Sequence, residues 1–415
     1  MTAEEPLWRV FGRIGLLSFG GPAAQIALMH RELVEIRRWQ SEAEFLRALS
    51  FCMLLPGPEA MQLATYAGWR LGGVRGGLLA GGLFVGPGAI LILALAAGYA
   101  AFGQVPLVSA LFLGVKAAVV VIVIEALLRV ARRALKGRAA RLIAAGSFTA
   151  IFLFGLPFPL IVVAAAIAGA AVLPRTAADA HPLPRNPRLG ATLATGLGLW
   201  WAPVAFLAVL GQDFLVRIGV FFSKLAVVTF GGAYAVLAYM TQTVVQDHGW
   251  LTTSEMMDAL GLAETTPGPL ILVTEFVAYL AGAGAGGPLL GLAAAGLALW
   301  VTFVPCFLWV FAFAPYIEWI AGRPRLGAAL AGVSAAVVGV IATLALWFAL
   351  HVFFGRVHEV RAGPFALTLP DPASIQPLPL LIALGAGWLL LGRHWNLLAV
   401  LALCALAGAA ITAGF

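Results

Sequence analysis

The sequence predicts an all-α integral membrane protein made of two inverted repeats, each carrying broken, re-entrant helix hairpins. Composition is the first observation behind this. Of 415 residues, 62% are hydrophobic and 10% charged, with a mean hydropathy of +1.00, whereas a water-soluble domain charges about a quarter of its residues. The second is a set of apolar runs, Gly76 to Phe102, Leu107 to Leu128, Leu289 to Pro315 and Leu326 to Phe354, each meeting the ~20 residues a helical span needs. The third is that the first half of the chain recurs in the second. An outer-membrane barrel would show segments of about 10 residues alternating in polarity, and these are absent.

Met1 to Pro6 carries Glu4 and Glu5 and no basic residue, so it does not read as a cleavable signal peptide. Phe11 to Pro58 then aligns without a gap onto Phe222 to Pro269, with 15 of 48 positions identical. The identities include Phe19-Gly20-Gly21 on Phe230-Gly231-Gly232, Trp39 on Trp250, Glu44 on Glu255 and Pro56-Gly57-Pro58 on Pro267-Gly268-Pro269. Gly72 to Gly82 reads as a turn followed by small-residue helix packing. Further on, Gly114 to Val120 matches Gly332 to Val338, and Ala168-Gly169-Ala170-Ala171 matches Ala407-Gly408-Ala409-Ala410. The domains expected are a first repeat over 1–173, a cytoplasmic linker over 174–190, an extra transmembrane helix over 191–210 anchored by Trp200 and Trp201, and a second repeat over 211–415.

Loop charge orients the copies, because Lys and Arg in short loops stay cytoplasmic. Arg31, Arg37 and Arg38 lie in a loop whose counterpart, Gln242 to Ser254, has no Lys or Arg. Conversely, the uncharged turn Gly103 to Pro106 corresponds to a stretch with Arg323 and Arg325. Basic loops of one copy face neutral loops of the other, the pattern of inverted repeats in secondary transporters. The extra helix supplies the odd crossing, giving nine spans, an inside N-terminus and an outside C-terminus.

Within these copies, Ser18-Phe19-Gly20-Gly21-Pro22, Pro56-Gly57-Pro58, Thr229-Phe230-Gly231-Gly232 and Thr266-Pro267-Gly268-Pro269 break apolar helices. The arms on either side of Pro56 to Pro58 hold only ~13 to 15 residues, ~20 Å of helix, which is too short to span. Broken backbone at membrane depth is tolerated where it is buried in protein or lines a wet cavity. Proline is accepted in a helix's first turn, so Pro22, Pro58 and Pro269 read as starts of half-helices. Their free N–H groups and partial positive charge favour a small anion.

Arg13 and Lys224 each precede a break hydroxyl by five residues. They read either as interfacial snorkelling residues or as cations that concentrate and contact the anion. Candidate coupling residues are Glu59, Lys116, Glu264 and Glu275. Glu59 reads first as a helix cap, and desolvation can make a carboxylate beside an anion site a proton carrier. Lys116 and Glu125 lie inside an apparent span but on opposite faces.

Cys52, Cys306 and Cys404 sit singly in apolar segments, and His30, His181, His248 and His351 are scattered, so neither a disulfide frame nor a metal site is indicated. The net charge of +7 lies in short loops rather than in a nucleic-acid stripe. No phosphate-binding Gly-Lys-Ser/Thr loop or nucleophile elbow occurs, so an enzyme is not expected.

As a set, the four broken motifs resemble the chromate transporter family in its two-domain form. The resemblance implies export of chromate across the bacterial inner membrane by secondary active transport, with sulfate as a look-alike. Ala233 stands where the first copy has Pro22, and Ala278 where such proteins often have Gly. The partners expected are the oxyanion, protons, the lipid bilayer and a second copy in a homodimer, with no cofactor and no nucleic acid. The site expected comprises the break residues above with Arg13 and Lys224. A passive oxyanion channel shares the same broken-helix logic, and a membrane enzyme or a scaffold subunit, disfavoured by the missing catalytic constellation, is a further alternative.

Overall fold

The computed structural model describes residues 5–413 except 20, 104, 175–183, 185, 186, 231, 232 and 364. The helices of the first copy are α1 (Leu7–Leu17), α2 (Gly21–His30), α3 (Glu42–Cys52), α4 (Glu59–Phe102), α5 (Pro106–Ala134), α6 (Arg138–Phe152) and α7 (Phe158–Val172). After α8 (Leu189–Val209) come α9 (Asp213–Val228), α10 (Ala233–Thr241), α11 (Thr253–Thr265), α12 (Val273–Gly286), α13 (Pro288–Phe313), α14 (Ile317–Ala321), α15 (Pro324–Phe353), α16 (Pro377–Gly387) and α17 (Leu397–Ala413). The second copy also holds two strands, β1 (Val357–Ala362) and β2 (Phe365–Pro370). Among the described residues five helical stretches are long and apolar enough to cross a membrane, Glu59–Phe102, Pro106–Ala134, Leu189–Val209, Pro288–Ile320 and Pro324–Phe353, and four shorter apolar ones accompany them.

Equivalent residues fold alike in the two copies. Both extend the second helix by a π-helical turn, Arg31–Ile36 and Gln242–Asp247. Each turn ends at a left-handed residue, Arg38 (φ 55°) and Gly249 (φ 59°). The next helix then opens on a capping box. Glu44 N–H donates to Ser41 Oγ while its carboxylate accepts from Ser41 N–H, and Glu255 and Thr252 do the same. Thus Ser41 and Thr252, not identical in the alignment, are chemically equivalent.

The chain divides into two compact units. Unit 1 comprises Met1–Ala97, Ala177–Ala233 and Leu262–Pro324. Here α4 is broken at Gly72 and Gly73, the latter at φ 61°. The break folds the arm Glu59–Leu71 back on the following span so closely that a Cβ on Gly68 would lie 2.4 Å from the Gly76 carbonyl oxygen. Gly287 (φ 86°) turns α12 into α13 in the same way. The core of the unit joins Phe11 and Ile14 of α1, Phe84 of α4, Phe222 of α9, Phe276 of α12 and Val301 of α13, all fully buried. The unpartnered α8 packs on α13, where Trp300 Nε1 donates to the Leu199 carbonyl (2.9 Å).

Unit 2 comprises Gly98–Thr176, Tyr234–Gly261 and Arg325–Phe415. Without a hydrophobic drive between helices in lipid, close packing through small residues holds them together. Gly114 of α5 meets Gly408 of α17, and Gly332 of α15 meets Gly169 of α7. Gly114 and Gly332 are repeat equivalents, as are Gly169 and Gly408, so each copy's glycine packs on a late helix of the other. The segment Gly355 to Pro377, rich in proline and charge, contains an antiparallel hairpin of β1 and β2 pairing Val357 with Pro370 through Ala362 with Phe365. Val360, Phe365 and Leu367 are strand formers, Gly363 makes the turn at φ 60°, and Arg356 pairs with Asp371 at 3.0 Å to close the base.

At the end of α2, His30 Nε2 lies 2.6 Å from Glu42 and Nδ1 lies 3.1 Å from Glu35. The hydrogen bond to Glu42 leads the causes that raise its pKa, opposed by partial desolvation and aided by Glu35. A raised folded-state value means that this contribution to stability is complete below the unfolded value, about 6.5, and is lost as pH rises through the folded value. The wild type therefore loses thermal stability relative to His30→Gln as pH rises above about 6.5. Melting curves of both proteins in detergent check this, and parallel curves would show the contact to be neutral.

Candidate functional site

The four helix breaks described in unit 1 are tied in reciprocal pairs. Pro-Gly-Pro offers a single backbone donor in three residues, since proline has no N–H. A helix C-terminus conversely leaves carbonyls without intrahelical partners. Gly57 N–H donates to the carbonyl of Thr229, at the end of α9, at 2.8 Å; Gly268 N–H donates to the carbonyl of Ser18, at the end of α1, at 2.9 Å. The four residues are repeat equivalents taken crosswise, so each copy's Pro-Gly-Pro satisfies the other copy's broken helix. Gly57 (φ 124°) and Gly268 (φ 91°) occupy backbone conformations reserved for glycine.

Two glutamines brace these breaks. Gln25 Nε2 donates to the carbonyls of Gly268 (2.7 Å) and Ser18 (3.2 Å), and Gln62 Nε2 donates to that of Pro56 (2.8 Å). Both side chains are buried. Sequence reasoning missed them, although each lies in the first turns after Pro22 or Pro58. It also missed Pro87-Gly88 of α4 and Pro305-Cys306 of α13, which occupy the same register as Gly114 and Gly332. A Cβ on Gly88 would lie 2.2 Å from the Pro267 carbonyl oxygen, and one on Gly57 would lie 2.8 Å from Cys306 Sγ. Each Pro-Gly-Pro thus backs onto the other copy's long helix.

The hydroxyls expected at the site donate to their own helices. Ser18 Oγ donates to Ile14 (2.5 Å), Thr229 Oγ1 to Leu225 (2.6 Å) and Thr266 Oγ1 to Ala263 (3.0 Å). Pro22 is the second residue of α2, Pro58 immediately precedes α4, and Pro269 caps a 3-10 turn, Leu270–Leu272, that runs into α12. Phe19 is exposed and Phe230 half-buried. Gly20, Gly231 and Gly232 lie outside the described residues. Arg13 is exposed and pairs with Glu5 at 2.5 Å. Glu5 in turn bonds Arg37, which bonds Glu32, and Arg37 heads the causes that hold the Glu5 carboxyl below its ordinary range. Lys224 is exposed.

Glu59 opens α4, and Glu264 is buried near the end of α11. Glu275 falls in the first turn of α12, 3% exposed, with Oε2 lacking a hydrogen-bond partner among the described residues. Lys116 lies in unit 2 and has partners that sequence reasoning missed: Nζ donates to Ser254 Oγ (2.5 Å) and lies 3.3 Å from Asp258 Oδ1, while Tyr99 donates to Asp258 Oδ2 at 2.7 Å. Glu125 pairs instead with Arg129, one turn along α5, at 2.5 Å. Among the described residues no three His, Cys, Asp or Glu side chains gather as a metal site.

These features define a multi-pass helical membrane protein with paired helix breaks in its core. The sequence model of the chromate transporter family matches residues 6–170 and 216–409. The chain is 32% identical over 383 residues to the probable chromate transport protein of Synechococcus elongatus, covering 89% of this chain and 92% of that one. It is 35% identical over 369 residues to the chromate transport protein of Pseudomonas aeruginosa (86% and 83%), and 32% over 337 residues to that of Cupriavidus metallidurans (80% and 79%). The chain belongs to the chromate transporter family, whose members are transporters and not enzymes. Its bacterial relatives and apolar helices indicate a multi-pass protein of the plasma membrane. No solved structure matches it.

Proposed function

We propose that this chain exports chromate, or a related tetrahedral oxyanion such as sulfate, by secondary active transport, with the anion bound among the helix breaks. Relatives named chromate transport proteins support the cargo. The observation that carries the reading is the crosswise pairing of Gly57 with Thr229 and of Gly268 with Ser18. Reciprocal bonds between repeat equivalents are what a two-fold relation between copies requires, and they support paired halves working around one central site.

Because the N–H groups of Gly57 and Gly268 hold the breaks together, the anion takes its donors from the first turns of α2, α4 and α12. Those turns leave N–H groups without intrahelical acceptors, and their partial positive charge favours an oxyanion. Arg13 and Lys224 act through their field, which reaches about 8 to 10 Å in physiological salt. Glu275 is the carboxylate placed to carry a proton, being buried within the first turn that follows Pro269.

Counterflow in proteoliposomes tests the reading. Vesicles preloaded with chromate are expected to accumulate labelled chromate, with sulfate competing, and Glu275→Gln to keep counterflow while losing uptake driven by a pH gradient. Conductance far above carrier turnover would assign a channel instead, and vesicles that move no oxyanion would overturn the transport reading altogether.

A further inference from the structure

Unit 2 contains a cavity of about 420 Å³, lined by Lys116 of α5, Thr253 and Ser254 of α11, His351 of α15 and Gln376 before α16. These residues supply a cation, two hydroxyls, an amide and an imidazole, and among the described residues no Asp or Glu lines the space. That is donor chemistry suited to an oxyanion, in a volume typical of small-ligand sites.

What withholds the cation is Asp258. Gly261 sits tightly against α5, its absent Cβ only 2.4 Å from Val115 Cγ1. This close approach fixes Asp258, one turn earlier on α11, beside Lys116. Asp258 is 3% exposed. Oδ2 accepts from Tyr99, whereas Oδ1 has no hydrogen bond among the described residues and faces Lys116 Nζ at 3.3 Å. The charged and titratable groups around it are Lys116 of α5, Tyr99 of α4 and Glu255 of its own helix, with His351 of α15 across the cavity. Glu255 is engaged in its capping box. Lys116 is therefore the one cation acting on Asp258 among these groups.

An anion that draws Lys116 into the cavity leaves a buried carboxylate without its counter-charge, which is strongly unfavourable. Protonation of Asp258 relieves this, leaving the ammonium to the anion and a neutral acid hydrogen-bonded with Tyr99. We propose that this cavity is a second oxyanion site, in which binding of a dianion is linked to uptake of one proton by Asp258. Neither residue has a like partner in the other copy, where Arg47 replaces Asp258 and Ser334 replaces Lys116. The linkage therefore belongs to one half of the protein.

The inference rests on the cargo being a tetrahedral oxyanion, and the test separates the two. The purified full chain in detergent is titrated with chromate and with sulfate, whose charge is constant across the range, in weak buffer near neutral pH. Protons taken up per anion bound are read from a pH dye. Asp258→Asn is expected to bind the anions at least as well as wild type while taking up about one proton fewer per anion. Lys116→Met is expected to weaken binding by about tenfold or more and to remove the same proton. Should Lys116→Met fail to accumulate, the Lys116→Met/Asp258→Asn double variant, which buries no lone charge here, replaces it. Unchanged proton uptake in Asp258→Asn, or unchanged affinity without Lys116, would overturn the inference alone. A wild type that binds no oxyanion would overturn the transport reading with it.

Discussion

Replacing Gly88 with Ala is expected to abolish chromate transport, while Gly86→Ala, two residues earlier in the same span, leaves it intact. The two sites differ in what a methyl group meets. At Gly86 the added Cβ faces open space, and alanine is the better helix former by about 0.8 to 1 kcal/mol. At Gly88 the Cβ would sit 2.2 Å from the carbonyl oxygen of Pro267 and 2.6 Å from Leu272 Cδ1. A flexible side chain could turn away, but a backbone carbonyl between two prolines cannot. The second Pro-Gly-Pro must therefore back off, and the bonds from Gly268 to Ser18 and from Gln25 to Gly268 lie next in line. Overpacking ordinarily costs about 1 to 3 kcal/mol, and a collision with fixed backbone belongs at or above the top of that range. Each buried backbone pair that is broken adds about 1 to 3 kcal/mol more. Initial rates of chromate entry into proteoliposomes, normalised to inserted protein, check the pair of variants. Wild-type rates in Gly88→Ala would mean that the breaks do not depend on this contact.

The breaks were legible in the sequence because glycine and proline act through the backbone, and backbone geometry repeats wherever those residues repeat. That is why Ser18, Pro56 to Pro58, Thr229 and Pro267 to Pro269 could be marked before any coordinates. Which acceptor faces a marked donor was not legible. The N–H groups of Gly57 and Gly268 read as anion ligands, and in the fold they meet carbonyls from the opposite copy, a pairing set by tertiary geometry. Comparing copies also directs attention to identities, and so it passes over chemistry that lies in a difference. Asp258 aligns with Arg47 and Lys116 with Ser334, so neither invited a partner, although one turn of α11 puts them together. The hairpin of β1 and β2 escaped notice because a short polar segment with Arg356, Asp371 and several prolines resembles a loop until its strand formers pair.

Lys116→Met is expected to destabilise unit 2 markedly, and Lys116→Met/Asp258→Asn to recover most of the loss. Removing one partner of a buried ion pair costs about 3 to 5 kcal/mol because the other charge is left uncompensated. Here the charge left behind by the lysine change is the aspartate, whose side chain is 4% exposed against 19% for the lysine, so Lys116→Met falls within that range. Asp258→Asn is milder, because the freed ammonium keeps Ser254 and faces the cavity. In the double variant no charge remains to be desolvated, and replacing a buried pair with neutral groups of similar volume is often neutral or favourable. A double-mutant cycle from thermal unfolding in detergent isolates the pair, since contacting residues depart from additivity by about 0.5 to 3 kcal/mol. The deficit of Lys116→Met should also narrow as pH falls and Asp258 takes up a proton, while the double variant shows no such recovery. That pH arm distinguishes an electrostatic pair from a lysine that merely fills space: if packing were the cause, the deficit would be the same at every pH and would persist when Asp258 is also replaced.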